Sequence, residues 1–225
     1  MTFVAGIIDS GISGPAASHV VAAMRFDAGV TGVSCNPVVP DALHHGTVMA
    51  EIIMSLAPHC RFLNAQIFDQ SRTTSPGALA EALRWATREG ARLINLSVGL
   101  AADRLELRQA CRAARDQGVI LLAASPARGG PVFPAAYDGV FRISGDARCA
   151  PGEISALQNG QADFGAYPRG PGMQEGIAGG ASFSVAWVTG LVAGYLQDSP
   201  SAGYDQIRRH LVGISRYHGA ERRLV

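Results

Sequence analysis

Phe3-Val4-Ala5-Gly6-Ile7-Ile8-Asp9-Ser10-Gly11 is a short apolar run that stops abruptly at an acid, a hydroxyl and a glycine. An apolar run of this length reads as a strand buried on both faces, and the Asp-Ser-Gly that closes it as a tight turn. Further along, Val48, Met49, Ile52, Ile53 and Leu56 recur at helical spacing ahead of Pro58, predicting a helix over 45–56. Residues 61–68 read as a strand. Residues 75–89 read as a helix with Pro76 in its first turn and Gly90 after its last. Strands over 92–97, 119–124 and 140–144 and helices over 103–117, 182–196 and 205–212 continue the alternation. Residues 14–43 carry little periodicity beyond a short helix near 16–24, and residues 146–180 read as loop. Strand alternating with helix predicts a three-layer α/β fold, a mostly parallel sheet with helices on both faces. No repeat, low-complexity tract or linker divides the chain, so one domain over 1–225 is expected. Functional sites in such sheets lie beyond the carboxyl ends of the strands, where Asp9 and Ser97 fall.

Composition removes several classes of function. With 48% hydrophobic and 16% charged residues the chain suits a compact fold rather than a disordered one. A net charge of +1 gives no case for nucleic acid or for a membrane surface. All 19 basic residues are arginine. No stretch approaches the apolar length of a membrane helix. Cys35, Cys60, Cys111 and Cys149 form no CxxC pair, so a zinc site has little support. The run ahead of Asp9 has no basic n-region and is too short for an export signal, so reduced cysteines and a cytoplasmic location are expected. Asp9-Ser-Gly-Ile-Ser-Gly14 is not a GxGxxG loop, which leaves a nucleotide-binding reading weak.

A serine nucleophile needs a base within hydrogen-bonding reach and an acid to orient that base. Asp9 follows a strand, His45 opens a helix, and Ser182 opens another behind Gly179-Gly180. Singly, each has an ordinary structural reading: a turn aspartate, a helix-start histidine, an N-cap serine. Their order and surroundings, however, form a pattern.

Val4-Ala5-Gly6-Ile7-Ile8-Asp9-Ser10-Gly11-Ile12 resembles the aspartate motif of the subtilisins. His45-Gly46-Thr47-Val48-Met49-Ala50 resembles their H-G-T-x-V-A, with a small shift after Thr47, and 180–190 resembles G-T-S-M-A-x-P-x-V-A-G around Ser182. Ile94-Asn95-Leu96-Ser97-Val98-Gly99 is similar to the family's cleft strand I-N-x-S-x-G. Phe133-Pro134-Ala135-Ala136-Tyr137 is similar to its Y-P-A-x-Y, and Ala150-Pro151-Gly152 to its A-P-G. The resemblance implies a subtilisin-like serine endopeptidase with Asp9, His45 and Ser182 as catalytic triad. An extended polypeptide substrate would then lie along Ser97, Val98 and Gly99 and along Arg72, Thr73 and Thr74, with Val132 in the P1 pocket. No cofactor and no metal are expected, since no loop resembles an EF-hand. Nothing here fixes an oligomeric state.

Departures from the family refine the expectation. Where the family carries A-A-G-N, with the asparagine completing the oxyanion hole, this chain has Ala123-Ala124-Ser125-Pro126. Proline offers no donor, so Ser125 together with Ser182 is the candidate oxyanion pair. Loss of one such donor costs about 2.7–4 kcal/mol. A slow, dedicated enzyme or a non-catalytic peptide-binding relative would both fit. Ser125 and Val132 stand where the family often has glycine, which predicts a shallow P1 pocket. The chain starts almost at its aspartate motif, so no propeptide is expected. In this it resembles the small family members that remove leader peptides from modified peptides.

Overall fold

The computed structural model describes residues 3–29, 32–70, 73–173 and 179–221. The opening run forms β1 (Val4–Asp9) in the middle of a ten-stranded sheet. Chain order adds β2 (Val20–Gly29), β3 (Gly32–Asn36), α1 (His45–Leu56), β4 (Arg61–Gln66), α2 (Pro76–Arg88) and β5 (Leu93–Leu96). These are followed by α3 (Leu105–Asp116), β6 (Ile120–Ala124), β7 (Val140–Gly145), β8 (Ile154–Ala156) and β9 (Phe164–Ala166), then α4 (Ala181–Asp198), α5 (Tyr204–Gly213) and β10 (Tyr217–His218). The strand order is β10-β8-β9-β7-β6-β5-β1-β4-β2-β3. β1 pairs in parallel with β4 on one side and β5 on the other, so the chain reverses its direction of winding around β1. That is the switch point at which such sheets open a crevice.

Alternation along the strands supplies both cores. Ala5 and Ile7 of β1, Leu122 of β6 and Phe141 of β7 pack with α1, α4 and α5. Ile8, Leu96 of β5 and Leu121 pack beneath α2 and α3. The three-layer α/β arrangement is the one expected. Helix ends follow local chemistry: the Ser75 hydroxyl accepts from the Ala78 amide at 3.0 Å, and Pro76 begins α2 where no N–H is needed.

Two stretches differ from expectation. The helix expected near 16–24 is a 3₁₀ turn at Gly14–His19 followed at once by β2. Val20, Ala22 and Met24 pair in parallel with the edge of β4, the register shifting at Val21, and that pairing outweighs any local helical preference. The segment read as loop over 146–180 holds two three-residue strands, β8 and β9, paired antiparallel to each other.

One buried ion cluster ties three elements together and sets an acid limit on stability. The Asp163 carboxylate, 5% exposed, accepts from the backbone and guanidinium of Arg142 on β7 and from Arg208 on α5 at 3.3 Å. Burial alone would raise the Asp163 pKa, but the hydrogen bonds and charges of the two arginines override it and hold it below the usual value. A carboxyl depressed in the fold adds stability that is complete above its unfolded pKa, about 4, and is lost as pH falls through the folded value. Asp163→Asn should therefore lower the melting temperature at pH 7 and flatten its decline below about pH 4. Melting curves from pH 7 to pH 2 that remain parallel for both proteins would contradict this.

Candidate active site

The carboxyl end of β1 carries Asp9 into the fold at 1% exposure. Its Oδ1 accepts from the Ser10 amide and from His45 Nδ1, each at 2.7 Å. Its Oδ2 is buried and meets no hydrogen-bonding partner among the described residues.

His45 is the first residue of α1, and its neighbours fasten that end of the helix. Asp41 accepts from the His44 amide at 2.9 Å, from the Thr47 amide at 3.0 Å and from the Thr47 hydroxyl at 2.7 Å. Ser10 Oγ accepts from the Gly46 amide at 3.0 Å, so the turn after β1 is hydrogen-bonded directly to the start of α1. Asp41 and Ser10 support the site without belonging to the expected set of site residues. An acid just ahead of a helix start is a recognisable capping signal, and Asp41 could have been found by it.

Ser182 lies in the first turn of α4, behind the N-cap Gly180. α4 and α1 lie side by side on one face of the sheet and run in the same direction. The His45 and Phe183 rings meet near their N-termini with centroids 5.9 Å apart, and farther along Gly190 approaches Leu56. A Cβ at Gly190 would stand 3.1 Å from Leu56 Cβ, so the glycine permits the close approach of the two helices. Both helices therefore direct their positive ends, with amides that have no intrahelical acceptor, at the same place.

That place is a cleft of about 460 Å³ lined by Asp9, His45 and Ser182 together with His44 and Ser97. Leu43, Val48, Phe68, Pro171, Met173 and Phe183 form its apolar walls. Burial pushes the thiols of Cys60 and Cys111 up to about 12 and that of Cys149 up to about 11. Thiols so protonated are poor nucleophiles. None of the cysteines, including exposed Cys35, lines the cleft. The nucleophile-bearing side chains facing it are Ser182 and Ser97. A hydroxyl, an imidazole and a buried carboxylate so arranged can pass a proton to and from an attacking oxygen.

The remaining expected site residues divide. Ser97 lines the cleft, whereas Val98 turns its side chain into the core beneath α2 and α3. Gly99 touches Val132 beside a bridge in which Leu100 and Phe133 exchange backbone hydrogen bonds of 2.7 and 2.9 Å. Thr73 and Thr74 line a separate cavity of about 320 Å³ on the far side of Phe68, and Arg72 lies outside the described residues. Ser125 does not face the cleft. Its hydroxyl donates to the Gln161 carbonyl at 2.7 Å and its amide to the Ile143 carbonyl at 2.8 Å, so the oxyanion role expected of it has no donor behind it.

Known proteins place the chain in a family. The chain is 28% identical over 230 residues to alkaline elastase YaB of Bacillus sp. (strain YaB), covering 91% of this chain and 57% of that one. It is 27% identical to subtilisin Savinase of Lederbergia lenta, covering 91% of this chain and 80% of that one. The chain thus spans little more than half the length of the elastase. A protease structure from Pseudoalteromonas arctica superposes with a TM-score of 0.71 at 14% identity, covering 95% of this chain and 83% of that one, a likeness of fold. The profile described as the subtilase family matches residues 2–223, and the chain belongs to that family.

Proposed function

We propose that this chain is a serine endopeptidase in which Ser182 is the nucleophile, His45 the general base and Asp9 the residue that orients it. The observation that carries the reading is the 2.7 Å bond from His45 Nδ1 to buried Asp9 Oδ1 in a cleft shared with Ser182. That bond directs Nδ1–H at the carboxylate and leaves Nε2 to take the Ser182 proton as Oγ attacks the peptide carbonyl. The proton then passes to the leaving amine as the C–N bond breaks. Water, deprotonated by the same nitrogen, then attacks the acyl carbon, and His45 returns that proton to Ser182 Oγ as the ester C–O bond breaks and the acid is released. Asp9 stabilises the imidazolium formed in each half.

The substrate is an extended polypeptide running beside Ser97 and Gly99. Val132 packed against Gly99 supports a preference for small P1 side chains, and one relative is an elastase, a class with a small P1 pocket. Ser125-Pro126, where the family carries its asparagine donor, supports a slow enzyme dedicated to one processing event. Removal of a leader or pro-segment in the cytoplasm, as in maturation of the quinohemoprotein amine dehydrogenase small subunit, is the kind of task proposed. The same dipeptide favours a second reading, a catalytically silent module that binds peptides in the cleft.

A fluorophosphonate probe separates the two. The peptidase should take up one adduct by intact mass, mapped to Ser182, and should cut a proteome-derived peptide library at few sites, mostly after small residues. A folded chain with no adduct would establish the silent module instead. Cleavage dominated by large aromatic P1 residues would refute the small pocket.

A further inference from the structure

Resting on the peptidase reading above, we propose that the Ser97 hydroxyl is a catalytic hydrogen-bond donor to the substrate oxygen that becomes negative in the transition state, held in place by buried Asn95 and Thr189. The need for such a donor comes from the site itself. An acyl-transfer cleft works largely by donors aimed at the developing oxyanion. The Ser182 amide in the first turn of α4 supplies one. At the position where the family has its side-chain donor, Pro126 has no N–H, and both Ser125 donors are spent on the carbonyls of Gln161 and Ile143.

Ser97 has the support a second donor requires. It follows β5 directly, is 9% exposed and lines the cleft with Ser182 and His45. Its Oγ accepts from Asn95 Nδ2 at 3.0 Å. Asn95 is 0% exposed, and its Oδ1 accepts in turn from Thr189 Oγ1 at 3.1 Å. A hydroxyl has one proton and two lone pairs. With Asn95 donating to it, Ser97 keeps its own proton for another acceptor, and the residue lines the cleft. A hydroxyl that accepts from a buried amide is also polarised into a better donor. Thr189 belongs to α4, the helix that carries Ser182, so the relay fixes the donor relative to the nucleophile. Asn95 and Thr189 are positioning residues, acting through Ser97. Of the other polar side chains at the cleft, His45 and Ser182 are committed to proton transfer, and His44 is exposed at the N-cap of α1 with no such support.

The test is Ser97→Ala in the full chain, with Ser97→Thr beside it. Ser97→Ala should lower kcat roughly ten- to a thousandfold and leave KM unchanged, the behaviour of an interaction made only in the transition state. Affinity for a peptide aldehyde, whose adduct carries the tetrahedral oxygen, should fall by the same factor as kcat/KM. Ser97→Thr, which keeps a hydroxyl, should recover much of the loss. If Ser97→Ala does not fold, Ser97→Cys gives the same reading with a weak donor of similar size. Wild-type kcat in Ser97→Ala, a loss confined to KM, or undiminished aldehyde affinity would each overturn the donor role while leaving the peptidase standing. A wild-type chain with neither turnover nor a probe adduct would overturn both.

Discussion

Asp9→Asn should cut kcat about 10⁴-fold, with KM and thermal stability changing far less. The Ser10 amide and His45 Nδ1 both donate to Asp9 Oδ1, while Oδ2 is buried without a hydrogen-bonding partner among the described residues. An asparagine has two ways to occupy that site, and each fails chemically. With its oxygen at the Oδ1 position it keeps both hydrogen bonds but buries an NH₂ where Oδ2 was, and it lacks the negative charge that stabilises the imidazolium. With the amide reversed, its NH₂ faces the Ser10 N–H and forces His45 into the tautomer that carries its proton on Nε2. That tautomer cannot accept the Ser182 proton. Steady-state kinetics on a peptide substrate, with the phosphonylation rate of Ser182 as a second readout, decide the matter. A variant within tenfold of wild type in both would mean that the Asp9–His45 bond is structural and that proton transfer runs through another group.

The parts of this site that the sequence discloses are those whose geometry is local. Asp9 is marked by the end of an apolar strand and the glycine after it, and His45 by a helix whose Met49, Ile52 and Ile53 are fully buried while Val48 faces the cleft. Ser182 is marked by the glycines ahead of α4. The strand-helix alternation discloses the layers for the same reason, since each periodicity is written into consecutive residues. What stays hidden depends on partners distant in sequence. β2 exists because the edge of β4 receives it, and β8 and β9 are three residues each, too short to carry a period. The direction of the Ser125 hydroxyl is set by the Gln161 carbonyl, which the β9 side of the sheet brings in. Val98 and Gly99 divide between core and surface because neighbours in the segment that follows β5 face opposite ways. Phe68, Pro171 and Met173, which close the cleft, have no signal of their own in the chain.

Gly46→Ala should lower turnover by roughly 10²-fold or more and destabilise the fold, although alanine is the better helix former. A Cβ at position 46 would lie 2.3 Å from the Gly11 carbonyl oxygen, 3.0 Å from Asp9 Cβ and 3.1 Å from the Gly11 nitrogen. Two of those atoms are backbone of the turn that follows β1, and that turn is anchored, since the Asp9 carbonyl accepts from the Ile67 amide at 2.8 Å. The clash cannot be relieved by rotating a side chain. α1 must instead back away by about an ångström, a scale of misplacement that costs a catalytic constellation roughly 10² in rate or more. The bonds lost in that retreat are the ones the chemistry uses: Gly46 N–H to Ser10 Oγ at 3.0 Å and His45 Nδ1 to Asp9 Oδ1 at 2.7 Å. Overpacking of this kind costs on the order of 1–3 kcal/mol in stability. Gly213→Ala at the end of α5, where an added Cβ meets nothing within 4 Å, supplies the comparison and should leave activity unchanged. If Gly46→Ala keeps wild-type kcat, α1 can shift without disturbing His45, and the close contact between the β1 turn and the helix is not what sets the geometry of the base. If it loses turnover while melting normally, the glycine is held at that position by the catalytic geometry rather than by the fold.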